Sequence, residues 1–271
     1  MQLAALGGKG AGSLGTFLGI VLGLTMALPA LAAAGDPAIA KAVDVRPEAT
    51  GQLNGTSAII IDEAELFEGQ KIVTGAQGQV QIVFADDTRM VVGPGSSLVI
   101  EKYLMRNGGT ASKFAVSALG GTFRFITGKS QKSAYSITTP TGTIGVRGTK
   151  FDFSIDPKTK KTTVVLFEGE VSLCPKQGGC ETVKGKCEIG FSETSNAELI
   201  KTGDSGHASA SSKFPYVSSQ RSLRSDFRVN SANNCGAKAP AVSEKKPEPK
   251  PDPGPNKPEG KPDPIPDPLP D

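Results

Sequence analysis

The sequence has no tryptophan, one histidine and four cysteines in 271 residues. A single imidazole, His207, cannot build a multi-histidine metal site, and His-based triads elsewhere in the chain have no base to use. Aromatic residues are only 6% of the chain, so any core must be filled by Val, Ile, Leu and Phe. Net charge is +3, with no concentrated basic patch, so no nucleic-acid partner is expected. Phosphate-cradling glycine loops are missing too. Gly142, Gly145 and Gly148 lie among strand-like residues with no helix after them. No cofactor and no metal site is expected, and an ordinary enzyme is disfavoured. Carboxylates cluster at Asp62, Glu63, Glu65 and Glu68 and again at Asp86-Asp87, but no spacing selects a catalytic pair, and such clusters are usually solvated turns.

Acidic residues are also absent from positions 1–34. There, one base, Lys9, precedes an apolar run from Leu14 to Leu28, and Ala30-Leu31-Ala32-Ala33-Ala34 follows. This reads as a signal peptide cleaved after Ala32 or Ala34. The run is short for a membrane span, so no stable span is expected after cleavage. The expected location is periplasmic or secreted, in a Gram-negative-type bacterium.

What the chain does have is period-2 alternation. Residues 35–50 read as a short linker. From about Gly51 to Ile200, short apolar-alternating runs recur: Val80, Ile82 and Phe84; Phe123 and Phe125; Phe151, Phe153 and Ile155; Val164 to Phe167. One side of each faces a core, and the intervening positions, Gln79, Gln81 and Arg124 among them, face solvent. Turn signals, including Asp86-Asp87, Gly93 to Gly95 and Gly120-Gly121, recur about every 8–12 residues. The fold class is all-β: a short-stranded roll or solenoid, or a sandwich. Residues 201–237 form a Ser-rich, Cys-bearing extension, in which Val217, Leu223 and Phe227 are loosely helix-spaced. Twelve of the 20 prolines fall in 238–271, read as a disordered tail with polyproline-II character.

Four ordered stretches between Val73 and Val171 carry a resemblance. They are Thr74 to Gly78 leading to Val80–Thr88; Gly93 to Leu98; Thr139-Pro140-Thr141-Gly142-Thr143-Ile144-Gly145-Val146-Arg147-Gly148-Thr149-Lys150-Phe151; and Val164 to Val171. They resemble the periplasmic domain family named after the FecR regulator of ferric-citrate transport. The resemblance implies an all-β extracytoplasmic domain, often a receiver in cell-surface signalling. The chain departs from the plan of the full regulators: a cleavable signal stands where they carry a cytoplasmic sigma-factor-binding segment and a membrane helix. It reads as a stand-alone secreted member.

The third stretch is the most specific, with Thr139, Pro140, Thr141, Gly145, Arg147, Gly148, Thr149 and Phe151 as its motif residues. Its physics is that of a strand end at Pro140, then a bent, bulged strand, with Arg147 holding the corner through a carbonyl or carboxylate. The resemblance adds one reactive possibility, self-cleavage at Gly148-Thr149. The Thr hydroxyl attacks the preceding carbonyl, and Asp152 or a water serves as base.

The cysteines are Cys174, Cys180, Cys187 and Cys235. Their even number suits disulfides in an oxidising compartment. Cys180 follows a turn after the strand that Cys174 ends, which favours Cys174–Cys180 and leaves Cys187–Cys235; the other two pairings stay open. The leading function is a non-catalytic binding or signal-sensing module of the cell envelope, its partner an envelope protein or a cell-wall glycan. The alternatives are a structural or adhesive envelope protein and a self-cleaving sensor.

Overall fold

In the computed structural model, residues 36–106 and 108–236 are described. The signal-peptide and Pro-rich-tail expectations fall outside them. Alternation becomes strands as expected. In chain order they are β1 (Ala40–Arg46), β2 (Ala49–Leu53), β3 (Thr56–Ile59), β4 (Glu65–Leu66), β5 (Lys71–Thr74), β6 (Gln79–Phe84), β7 (Arg89–Val92) and β8 (Ser97–Arg106). Then follow β9 (Thr110–Ile126), β10 (Tyr135–Thr138), β11 (Gly142–Ile155), β12 (Thr162–Pro175), β13 (Glu181–Val183), β14 (Ile189–Ser192) and β15 (Ala197–Ile200). The class is all-β.

All 15 strands belong to one hydrogen-bonded sheet that folds back over itself. The hinge of this arrangement is β9. Its first half pairs antiparallel with β8 and parallel with β10; its second half pairs antiparallel with β7 and β11. Three paths leave β9: through β8, β5 and β2 to β3, through β7, β6 and β1 to β4, and through β11, β12 and β14 to β15. Between the folded halves lies the main core. Phe123 stacks on Phe153 with ring centres 4.8 Å apart, and Phe114 meets Phe84 edge-on at 4.7 Å. All four rings are buried, Phe84, Phe123 and Phe153 as the alternation required.

Three expectations are corrected. Residues 40–50 are not a linker: β1 runs six residues against β6, with Ala40 and Ala42 buried, and β2 starts at Ala49. Gly120-Gly121 is not a turn. The strand runs through it, and Gly121, at φ +104°, lets the backbone pass against Ser96 where a Cβ would collide. The third correction concerns the second face of the sheet.

Gln79, Gln81 and Arg124 do not meet solvent; they are buried, as is Asp152. The Ser-rich extension lies over them. It holds two short helices, α1 (His207–Ser211) and α2 (Pro215–Ser218), and two 3-10 turns, Ser225–Phe227 and Asn230–Asn234. Phe214, Val217, Val229 and Ala232 pack on Val165, Phe167 and Ile189, while Tyr216, Leu223 and Phe227 pack on Val91. The extension is thus a second layer. Two disulfides pair the cysteines as Cys174–Cys180 and Cys187–Cys235, the second pinning the end of this strap to the sheet.

Candidate functional site

The motif of residues 139–151 builds a corner and a bulge. Thr139 N–H donates to Gly142 O at 2.8 Å, closing the turn that carries Pro140. The hydroxyls of Thr139 and Thr141 both meet that of Thr162, at 3.1 and 2.8 Å, so the corner is tied to the start of β12. Further along, Arg147 pairs with Glu170 but Lys150 pairs with Glu168, leaving Gly148 and Thr149 opposite Gly169 alone. Gly148 and Gly169 take φ of +67° and +86°. A Cβ on Gly169 would strike the Gly148 carbonyl oxygen, so the bulge needs glycine there. Gly145 lies beside Ser172, and Phe151 is buried in the core.

Arg147 does not hold this corner. It is exposed and its side chain makes no hydrogen bond among the described residues, lying with Lys132 at the rim of a cleft beside Cys174–Cys180. The expected base is also placed differently. Both carboxylate oxygens of Asp152 accept from Arg124, at 2.6 and 2.9 Å. Burial pushes the Asp152 carboxyl upward, opposed by the neighbouring guanidinium. The Thr149 hydroxyl is buried with no hydrogen-bond partner among the described residues, while the Thr149 carbonyl accepts from Thr127 N–H at 3.0 Å. Nucleophile and bond are adjacent, and the proposed base is held by another partner.

Arg124 is the polar centre of the strap-covered face. Register sets it directly across from Asp152. Its Nη2 also donates to Tyr216 O, and its Nη1 to Phe227 O, both at 3.3 Å; Gln220 Oε1 takes the remaining N–H. All five guanidinium donors are therefore used. The rings of Phe167 and Tyr216 flank the cation at 5.3 and 5.4 Å. Gln79 and Gln81 bind the strap at Ser222 O, and Gln81 Oε1 receives Arg224 N–H. His207 reaches Cys187 O at 2.6 Å, a packing contact beside the disulfide. Asp86 is buried rather than solvated, accepting from Ser130 and Tyr135 hydroxyls at 2.6 and 2.9 Å. These groups hold the fold, tying the strap to the sheet and the turns to the core.

The open surface lies elsewhere, at the β2–β3 hairpin. Asn54 and Gly55 both take positive φ, 49° and 79°, the geometry of a two-residue hairpin turn. Every residue of β3 is exposed. Ile59 and Ile61 are 78% and 67% exposed, the two largest values among the described apolar side chains of that size. Beside them is a groove of about 770 Å³ lined by Val45, Pro47, Ala49 and Ile59 to Ile61, with Glu48 and Asp62 at its rim. Sequence reading missed this surface. The signal was there: Asn54-Gly55 after Leu53, then three consecutive isoleucines, Ile59 to Ile61.

Residues 70–172 match the family model described as FecR protein. This span covers the bulge motif, β9 and most of β12, so the similarity to that family lies in this part of the chain. Two crystal structures of a "putative anti-sigma factor" from Parabacteroides distasonis ATCC 8503 are similar in part. One is 14% identical with a TM-score of 0.40, over 53% of this chain and 64% of that one. The other is 15% identical with a TM-score of 0.39, over 51% and 62%. The chain spans less than two thirds of either structure. No curated protein matches it. Among the described residues, no helix is long and apolar enough to cross a membrane.

Proposed function

We propose that this chain is a non-catalytic binding module of the cell envelope, a FecR domain that receives a partner and serves in signalling. The observation that carries the reading is the β2–β3 hairpin, whose strand β3 is exposed along its length beside an open, largely apolar groove. Two disulfides support work in an oxidising compartment, the periplasm or beyond. The polar groups that a catalytic reading would recruit are engaged elsewhere: Asp152 on Arg124, His207 on Cys187 O, Asp86 on two hydroxyls.

Intact mass of the purified mature protein, before and after reduction, tests the reading first. One mass is expected, rising by about four hydrogens as two disulfides open. Two masses that divide the chain between Gly148 and Thr149 overturn it in favour of a self-processing sensor. That second reading draws on the unpartnered Thr149 hydroxyl. Replacing Thr149 with Ala then abolishes the fragments. Binding itself is tested with envelope extract: one stoichiometric captured protein supports the module, whereas sedimentation with purified cell wall alone favours a structural role.

A further inference from the structure

The geometry points to the free edge of β3 as a strand-addition site for an extended peptide that alternates apolar and basic side chains. The inference rests on the binding-module reading and names its partner.

The backbone provides the ladder. Ile60 N–H donates to Ala49 O at 2.9 Å, and Thr50 lies opposite Ile59. Antiparallel pairing alternates, so the N–H and C=O of Ser57 and Ile59 point away from β2. β3 has no other strand neighbour. Natural edges are usually blunted by charge, proline or a bulge, yet Thr56 to Ile61 contains none of these. An unprotected edge of this kind is a template for another strand.

The side chains choose the occupant. Ile59, at the end of β3, and Ile61, two residues on, both line the groove. They continue into the groove over Val45, Pro47 and Ala49, which suits alternate apolar side chains of an added strand. The groove's charged lining residues are Glu48 and Asp62, and neither forms an ion pair among the described residues. Basic residues between the apolar ones complete that rim. A second copy is less suited, since it brings the same carboxylates to one seam with no cation. The chain's own Pro-rich segment is unsuited as well. Its prolines, from Pro247 to Pro255 at every second position, lack the N–H a ladder needs. A glycan is disfavoured because no lining residue is aromatic.

The test uses a fluorescein-labelled seven-residue peptide of alternating lysine and valine, read by anisotropy against the full mature protein. Saturable binding that weakens as salt rises is expected. Two control peptides should bind about tenfold weaker or worse: one with glutamate in place of lysine, one with proline at its centre. Ile59→Lys, Ile61→Lys and Glu48→Lys alter exposed side chains, so their melting should match wild type while affinity falls about tenfold or more. No saturable binding, equal affinity for the glutamate peptide, or unchanged affinity in the Ile59→Lys variant overturns the site. So does dimerisation of wild type in sedimentation velocity that Ile59→Lys abolishes, because a second copy then owns the edge. If an envelope protein is captured equally by wild type and Ile59→Lys, the site fails and the module reading survives. A protein that binds neither peptide nor envelope component fails both.

Discussion

A guanidinium and a carboxylate taken out of water each cost several kcal/mol, and Arg124 and Asp152 are both fully buried. The cost is offset only because the pair is bidentate and the strap supplies carbonyls for the remaining donors. Removing one partner leaves a buried charge alone. Arg124→Met or Asp152→Leu should each lose about 3–5 kcal/mol in urea unfolding. The double substitution should recover most of that loss, since it removes both charges together. The bulge is sensitive for a different reason. Gly169→Ala places a Cβ against the Gly148 carbonyl at positive φ, and a loss of about 2 kcal/mol or more is expected. Partly or fully exposed carboxylates contribute to the acid limb. Glu68 is held below its ordinary 4.5 by the Lys102 hydrogen bond and Tyr103 N–H; Asp87 and Asp156 are held below 3.8, by Lys129 and by the N–H groups of Thr159 and Lys158. Such groups bind protons less readily folded than unfolded. Their stabilisation is therefore present above pH 4.5 and 3.8 and is lost as pH falls below those values. Urea midpoints at pH 7, 4 and 3 should show that decline, with a shallower slope in the Glu68→Gln variant.

The strap is the element that alternation could not disclose. Val80, Ile82, Phe123 and Phe125 announce one buried face, and they were legible because that face is apolar. Gln79, Gln81 and Arg124 read as solvated because their positions are polar, yet long-range contacts from Tyr216, Ser222 and Arg224 cover them. No local pattern reports a partner some 140 residues away. β1 was lost for a simpler reason: Ala40 and Ala42 are too small to mark a buried face beside the charges at Lys41, Asp44 and Arg46. The disulfides were legible through compartment and turn position. Their contributions should differ with loop size. Cys187–Cys235 spans 48 residues and Cys174–Cys180 six. Loop entropy gives about 4 kcal/mol for the first and about 2 for the second. Replacing Cys187 and Cys235 with serine should cost more in urea, and limited proteolysis should then cut first within 203–235. Equal costs, or first cuts in the sheet, would speak against the strap as the element this crosslink secures.

At the scale of the whole molecule, β9 decides how the sheet can come apart. It pairs with four strands, β7, β8, β10 and β11, and its two halves serve different parts of the sheet. No cut separates the β2–β3–β5–β8 branch from the rest without breaking β9. The aromatic cluster adds to this seam, because Phe114, Phe123 and Phe125 all stand on β9 and touch rings from β6, β8, β10 and β11. Unfolding should therefore be one cooperative event with the disulfides intact. Far-ultraviolet dichroism, which reads strands, and near-ultraviolet dichroism, which reads the packed rings and tyrosines, should give coincident urea transitions. Local opening is a separate matter, governed by what each strand buries. β3 buries none of its side chains, whereas β9 and β11 carry most of the aromatics of the main core. Amide exchange should thus be fastest at Ser57 and Ile59, slowest at Phe123, Phe125, Phe151 and Phe153, and selectively slowed at β3 when a strand-forming peptide binds there. Protection appearing at β15 instead would place the docking edge at the end of another branch of the sheet.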